Sequence, residues 1–187
     1  MLSWAVSNQS QHTAHGSILA KGVTAVTDDP SARTGDTIWM LNTWMRYAAT
    51  AEDTNGQLAV IEQRCTPAGD PPRHVHEHED ETFYVLEGRL TATIGADTTR
   101  TAGPGECVFL PRGKAHSLHA ETPEVRGLVL LAPAGLEQFF AAIGEPATTG
   151  ELPEPAAPNV PAVVAAAARY GVTILPPSPP APAEPRA

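Results

Sequence analysis

Gly69-Asp-Pro-Pro-Arg-His74-Val-His76-Glu-His78-Glu-Asp-Glu81-Thr-Phe-Tyr-Val-Leu-Glu-Gly88 is the stretch that decides how this chain is read. Three histidines stand at alternate positions, a carboxylate follows at Glu81, and the run Thr82–Leu86 has the β-branched and aromatic content of a strand that closes at Gly88. Residues two apart on a strand point to one face, so His74 and His76 can converge on a point. Four residues then separate His76 from Glu81, enough to turn the chain and return the carboxylate to the same centre. Two imidazoles and a carboxylate form a facial set suited to a divalent transition metal with open positions. His78 shares the parity of the other two, so a set of His76, His78 and Glu81 competes. It leaves two residues for the return, and the longer spacing favours His74 and His76. The bland alternative is an exposed acidic loop (Glu77, Glu79, Asp80) with incidental histidines; three histidines within five residues argue against it.

A further ligand has to come from elsewhere, and His116 is the candidate. Gly105-Glu-Cys-Val-Phe-Leu-Pro111-Arg-Gly113-Lys-Ala-His116 reads as a short strand, a proline stop and a tight turn that deliver one imidazole to a defined place. His119, three residues on, faces away from His116 by strand alternation and is expected at the surface or in support of the site.

Around these motifs the chain alternates short apolar runs with Gly, Pro and Asn punctuation. Ile38–Leu41, Thr43–Ala49, Leu58–Thr66, Arg89–Ile94, Thr98–Thr101, Glu106–Leu110, His116–Ala120 and Val125–Leu131 read as strands, the last nearly all apolar and therefore central. Asn55-Gly56 carries a strong hairpin signal. About eight strands between residues 37 and 131 without helical periodicity predict a sandwich or small barrel whose interior holds side chains and one small ligand. Leu136, Phe139, Phe140 and Ile143 then recur at helical spacing, with Gly144 as the residue after the helix. A Pro-rich connector, a second helix from about Asn159 to Tyr170 closed by Gly171, and an extended Val172–Leu175 follow. The expected organisation is an N-terminal arm or edge strand over 1–36 (Ile18–Val26 its extended part), a barrel over 37–133, a helical appendage over 134–175, and a disordered Pro-rich tail over 176–187.

Of the 187 residues, 42% are hydrophobic and 18% charged, ordinary for a globular chain of this length, and the net charge of −9 opposes binding to nucleic acid or to anionic membranes. The first twenty residues lack the basic start and apolar core of a secretory signal, and no run approaches a membrane span, so a cytoplasmic protein is expected. Cys65 and Cys107, each in an apolar run, are expected as small buried side chains rather than a disulfide framework.

With those residues in place the chain resembles the cupin superfamily. Gly69-x4-His74-x-His76-x4-Glu81-x6-Gly88 is similar to cupin motif one, one residue short at its first gap; Gly105-x5-Pro111-x-Gly113-x2-His116 is similar to motif two, with Ala120 where asparagine is usual. That asparagine is not a ligand in the family. The stretches Ala132–Gly144 and Ala168–Leu175 resemble single-domain bacterial cupins of the quercetin (flavonol) dioxygenase-like kind. The resemblance implies an all-β cupin, a small β-barrel or jelly roll with short C-terminal α-helices. It implies one divalent metal ion (iron, nickel, manganese or cobalt, with zinc admitted) on His74, His76, Glu81 and His116. Glu81 would be both ligand and proton acceptor, and an aromatic or enolic small molecule would meet dioxygen, with ring cleavage and, for a flavonol, release of carbon monoxide. Cupins of similar size also serve as metal-dependent polyketide cyclases or isomerases, and others bind small molecules without catalysis; here no DNA-binding segment accompanies the barrel. A homodimer is expected, with Ser17–Val26 as an arm that crosses to the partner.

Overall fold

The computed structural model describes residues 32–176. The expected arm over Ile18–Val26 and residues 177–187 of the expected tail lie outside them. In chain order the elements are β1 (Thr37–Met40), β2 (Thr43–Ala49), α1 (Ala51–Thr54), β3 (Ala59–Cys65), β4 (His74–His76), β5 (Asp80–Glu87), β6 (Leu90–Ile94), β7 (Thr98–Ala102), β8 (Cys107–Leu110), β9 (His116–Ala120), β10 (Val125–Ala132), α2 (Glu137–Ile143), β11 (Glu145–Pro146), α3 (Val160–Arg169) and β12 (Val172–Ile174).

The strands form two antiparallel sheets, a seven-stranded one in the order β11-β1-β2-β3-β10-β5-β8 and a five-stranded one in the order β12-β4-β9-β6-β7. Among the described residues no strand is shared between them, so the sheets face each other as a jelly roll and do not close into a barrel. The all-β cupin expectation holds in this open form. β10 sits between β3 and β5, as its apolar run predicts. Ten strands, rather than about eight, begin between residues 37 and 132: the eight runs, the strand that contains Thr82–Leu86, and β4, whose three residues are too few to show a period. β11 and β12 follow residue 133 and add one edge strand to each sheet.

The core lies between the sheets. Ile61, Phe83, Val85, Leu110, Val129 and Leu131 are buried there by strand alternation, each contributing about 1.5–3 kcal/mol of transfer free energy. The packing is tight enough to require a glycine: a Cβ on Gly127 of β10 would stand 2.2 Å from Phe83 Cε1 and 2.7 Å from the Tyr84 carbonyl oxygen. α2 and α3 cover one opening of the sandwich with Phe139, Phe140 and Val163. No helix among the described residues is long and apolar enough to cross a membrane.

Three local expectations change. Asn55-Gly56 does not form a two-residue hairpin. Thr50 N and Oγ1 both donate to Asp53 Oδ2 (2.8 and 2.9 Å), which starts the single turn α1, and Asn55 (φ 54°) and Gly56 (φ 77°) end it; β2 and β3 pair on either side. Gly144 ends α2 in an extended conformation (φ −82°). Its lack of a side chain is steric in origin, since a Cβ would stand 2.8 Å from both Ile38 Cδ1 and the Phe140 carbonyl oxygen. Cys65 is buried as expected, but Cys107 is exposed, because β8 is an edge strand on which Val108 and Leu110 take the inward positions.

Candidate metal centre

β4 pairs with β9, setting His74 directly opposite His116, and the strand alternation of β4 turns His76 to the same face as His74. Glu81 comes from β5 in the facing sheet, where it pairs with Leu131 and Leu110. Three imidazoles from one sheet and a carboxylate from the other therefore meet between the layers, and their ligand atoms all lie within 4.8 Å of one another. The imidazole centroids are 4.4 to 4.9 Å apart. Glu81 Oε2 lies 3.5 Å from His76 Nδ1 and 3.6 Å from His116 Nε2.

The two motifs are tied together by the turn between β8 and β9. Gly113, at φ 71°, donates its N–H to the His76 carbonyl (2.7 Å). Arg112 grips Asp80 through its backbone N–H (2.9 Å), Nε (3.2 Å) and Nη2 (2.9 Å), and Nη2 also donates to the Ala132 carbonyl. That pair holds Asp80 below the usual carboxylate range through its hydrogen bonds. The start of β5, and with it Glu81, is thereby fixed against the turn that delivers His116.

Two backbone carbonyls set the tautomers. His74 Nδ1–H donates to the Pro72 carbonyl at 2.7 Å, and His116 Nδ1–H to the Lys114 carbonyl at 3.0 Å, each two residues earlier. A carbonyl only accepts, so the proton sits on Nδ1 and Nε2 is left with its lone pair. His116 Nε2 and His76 Nδ1 are buried and have no hydrogen-bond partner among the described residues. Burial pushes His74 below the ordinary imidazole range, with the adjacent His116 adding to the effect, and burial takes His76 down to about 4. Burial acts to raise Glu81, but the adjacent imidazoles of His116, His76 and His74 outweigh it and lower its pKa. Neutral imidazoles with inward lone pairs around one carboxylate form a donor set that a divalent transition metal fits.

The other sequence candidates lie outside this cluster. His78 is exposed, packed over the backbone of Gly171 and 4.0 Å from Glu77. His119 is at the surface, where Nδ1 meets Asp70 Oδ2 at 2.6 Å, a hydrogen bond that raises its pKa. Glu77 is exposed, whereas Glu79, grouped with it in the acidic-loop alternative, is buried with Oε2 unpartnered among the described residues, and burial raises its pKa.

His74, His76 and Glu81 line a cavity of about 280 Å³ whose wall is mostly apolar, with Met45, Leu118, Phe139, Phe140 and Val163 among its residues. Its rim carries the β1–β2 turn, where Leu41 and Asn42 both have positive φ. Asn42 clasps the Pro-rich connector there: Oδ1 accepts from Ala156 N (2.8 Å), and Nδ2 donates to the carbonyls of Ala156 (3.2 Å) and Ala68 (2.9 Å). Sequence reasoning did not find the orienting carbonyls of Pro72 and Lys114, because every residue has a carbonyl. It also did not find the helical wall of the cavity, since the apolar face of α2 reads equally as core.

Residues 62–133 match the family model described as Cupin domain. The chain is 31% identical over 102 residues to quercetin 2,3-dioxygenase of Bacillus subtilis (strain 168), covering 54% of this chain and 30% of that protein. It is 30% identical over 79 residues to quercetin 2,3-dioxygenase of Aspergillus japonicus, covering 40% of this chain and 23% of the relative. The chain thus spans less than a third of the length of either dioxygenase. Among solved structures, KdgF from Halomonas sp. is similar with a TM-score of 0.44 and 20% identity, over 49% of this chain and 81% of that one.

Proposed function

We infer, from a chain that carries a cupin domain over residues 62–133, that it is a metal-dependent dioxygenase acting on an aromatic or enolic small molecule of the flavonol or polyphenol type. The observation that carries this reading is the convergence of His74, His76, Glu81 and His116 beside a largely apolar cavity of about 280 Å³. The two quercetin 2,3-dioxygenases among its relatives support the choice of reaction.

In this reading the four residues hold one divalent ion: iron, nickel, manganese or cobalt, with zinc also matched by the donor set. When bound, the ion supplies Lewis acidity toward an enolic or phenolic oxygen. His74 and His116 present their Nε2 lone pairs because the Pro72 and Lys114 carbonyls hold their other ring protons. Glu81, kept ionised by its imidazole neighbours, takes the proton of the substrate hydroxyl. The apolar wall positions the ring and keeps water from the reacting carbon.

The test is elemental analysis of protein purified without a histidine tag, paired with oxygen uptake on a flavonol. One redox-competent metal per chain and flavonol-dependent oxygen consumption are expected. Zinc with no oxygen uptake would move the assignment to a metal-dependent cyclase or isomerase, and a metal-free protein that binds the flavonol unchanged would make it a binding cupin. We also propose a cytoplasmic homodimer, in which the edge strand β8, with Phe109 54% exposed, is a surface to cover. A monomer in light scattering at micromolar concentration would refute that.

A further inference from the structure

Gln63 lines the same cavity as His74, His76 and Glu81, but from a different level of the sandwich. On β3 it alternates with Ala59 and Ile61, both fully buried between the sheets, so its carboxamide is directed inward. Through β10, Glu81 is level with Leu131 and Ala59, whereas Gln63 is level with Gly127. Four residues of β3 separate the two levels, about 13 Å along the strand at about 3.3 Å per residue.

The other polar side chains around the cavity are committed. Both amide atoms of Asn42 hold the connector and Ala68. Thr43 Oγ1 donates to the Met40 carbonyl. Asp70 accepts from Ala120 N and from His119. Gln63 differs: among the described residues its carboxamide has no conventional hydrogen-bond partner, and the polar group two residues on along the same face is the buried Cys65 thiol, a weak hydrogen-bonding group. A carboxamide facing an apolar cavity with so weak a partner is unfavourable until something completes its hydrogen bonds.

We propose that Gln63 is a specificity-determining residue, whose carboxamide hydrogen-bonds an oxygen substituent at the end of the substrate remote from the His74/His76/Glu81/His116 cluster. The cavity then has two polar poles joined by an apolar wall. It selects elongated, mostly apolar molecules of two or three rings that carry oxygen at both ends, and it discriminates against single-ring phenols, which reach one pole. This rests on the proposed function for the oxygen held at the cluster, and deepens it by naming the recognition at the other end.

The experiment compares wild type with Gln63→Leu and Gln63→Met, all metal-loaded, on two flavonols: one hydroxylated on both outer rings, and its analogue without outer-ring hydroxyls. Turnover is read by oxygen uptake, and equilibrium binding separately by fluorescence quenching. Wild type is expected to favour the hydroxylated flavonol by about tenfold or more in kcat/KM and in Kd. Both variants should lose that preference through KM and Kd, with metal content and kcat on the unsubstituted flavonol unchanged. An equal fall on both flavonols with either variant would make Gln63 a packing residue and overturn the proposal, as would an unchanged preference. Wild type that binds with the predicted preference but consumes no oxygen overturns the dioxygenase reading alone, whereas wild type that binds both flavonols equally overturns the role of Gln63 alone.

Discussion

Two buried carboxylates sit on opposite faces of the seven-stranded sheet, and they are completed in different ways. Glu62, 6% exposed on the outer face, is gripped by two guanidinium groups: Arg46 Nε reaches Oε2 at 3.0 Å and Arg126 Nε reaches Oε1 at 2.8 Å, while Arg126 also bonds Glu87. Burial acts to raise its pKa, and the two arginines more than offset that. Glu81, 7% exposed on the inner face, has no permanent cation beside it among the described residues. Its partners are imidazoles, of which His74 and His76 are driven toward the neutral form, and buried nitrogens of His76 and His116 are left unpartnered. A buried charge needs a counter-charge or hydrogen bonds. Glu62 carries its own, and the Glu81 cluster is shaped for one supplied from outside.

The sharpest way to break this contrast is to remove donors from the inner cluster. His76→Ala should strip the metal and abolish activity, and Glu81→Gln should abolish activity, each by more than about 100-fold in metal affinity or turnover. Full metal occupancy in both His74→Ala and His116→Ala, measured by elemental analysis, would sink the ligand set.

Acid should separate the two carboxylates next. In metal-free protein His76 titrates at about 4 against 6.5 for an ordinary imidazole, so the unfolded chain takes up the proton first. The stability contributed by neutral His76 is present above about pH 6.5 and is lost as pH falls toward 4, an effect of about 3 kcal/mol. Urea unfolding of the metal-free protein across that window should show the slope, and His76→Ala should flatten it. Glu62, whose pKa is lowered, contributes stability that is present above the ordinary carboxylate pKa and is lost as pH falls through its folded value, a window lying below that of His76.

Glu62→Gln should then cost about 1–2 kcal/mol, since Arg46 and Arg126 are partly exposed and can rehydrate, and it should leave metal content unchanged. Smallest of all, His78→Ala should change stability by less than about 0.5 kcal/mol and metal content not at all, because that imidazole is exposed. Loss of metal in His78→Ala would return the competing set of His76, His78 and Glu81 to consideration.

The strands and the cluster were legible because both are written in side-chain type and spacing. His74 and His76 share a face by parity, Glu81 returns after a turn, and Pro111 and Gly113 announce the corner before His116. What was not legible depends on backbone geometry and packing that residue type alone does not encode. Asn55-Gly56 has the same chemistry in a hairpin as at the end of α1, and Thr50 with Asp53 decides between them. Glu79 reads as a loop acid like Glu77 until tertiary packing buries it. Cys107 reads as buried until β8 proves to be an edge. The second pole at Gln63 belongs to the cavity, and a cavity exists only after the sheets have faced each other.

Because three donors come from the five-stranded sheet and one from the seven-stranded sheet, an ion held by all four is a cross-link between layers that no strand otherwise joins among the described residues. Its affinity is then also a folding energy: binding to the assembled sandwich alone stabilises it by about 4 kcal/mol when free metal exceeds the dissociation constant a thousandfold. Chelation should therefore lower the melting temperature and speed amide exchange first in β4 and β9, the strands that meet at His74 and His116. For such a protein the supply of metal in the cell would set the amount of folded chain.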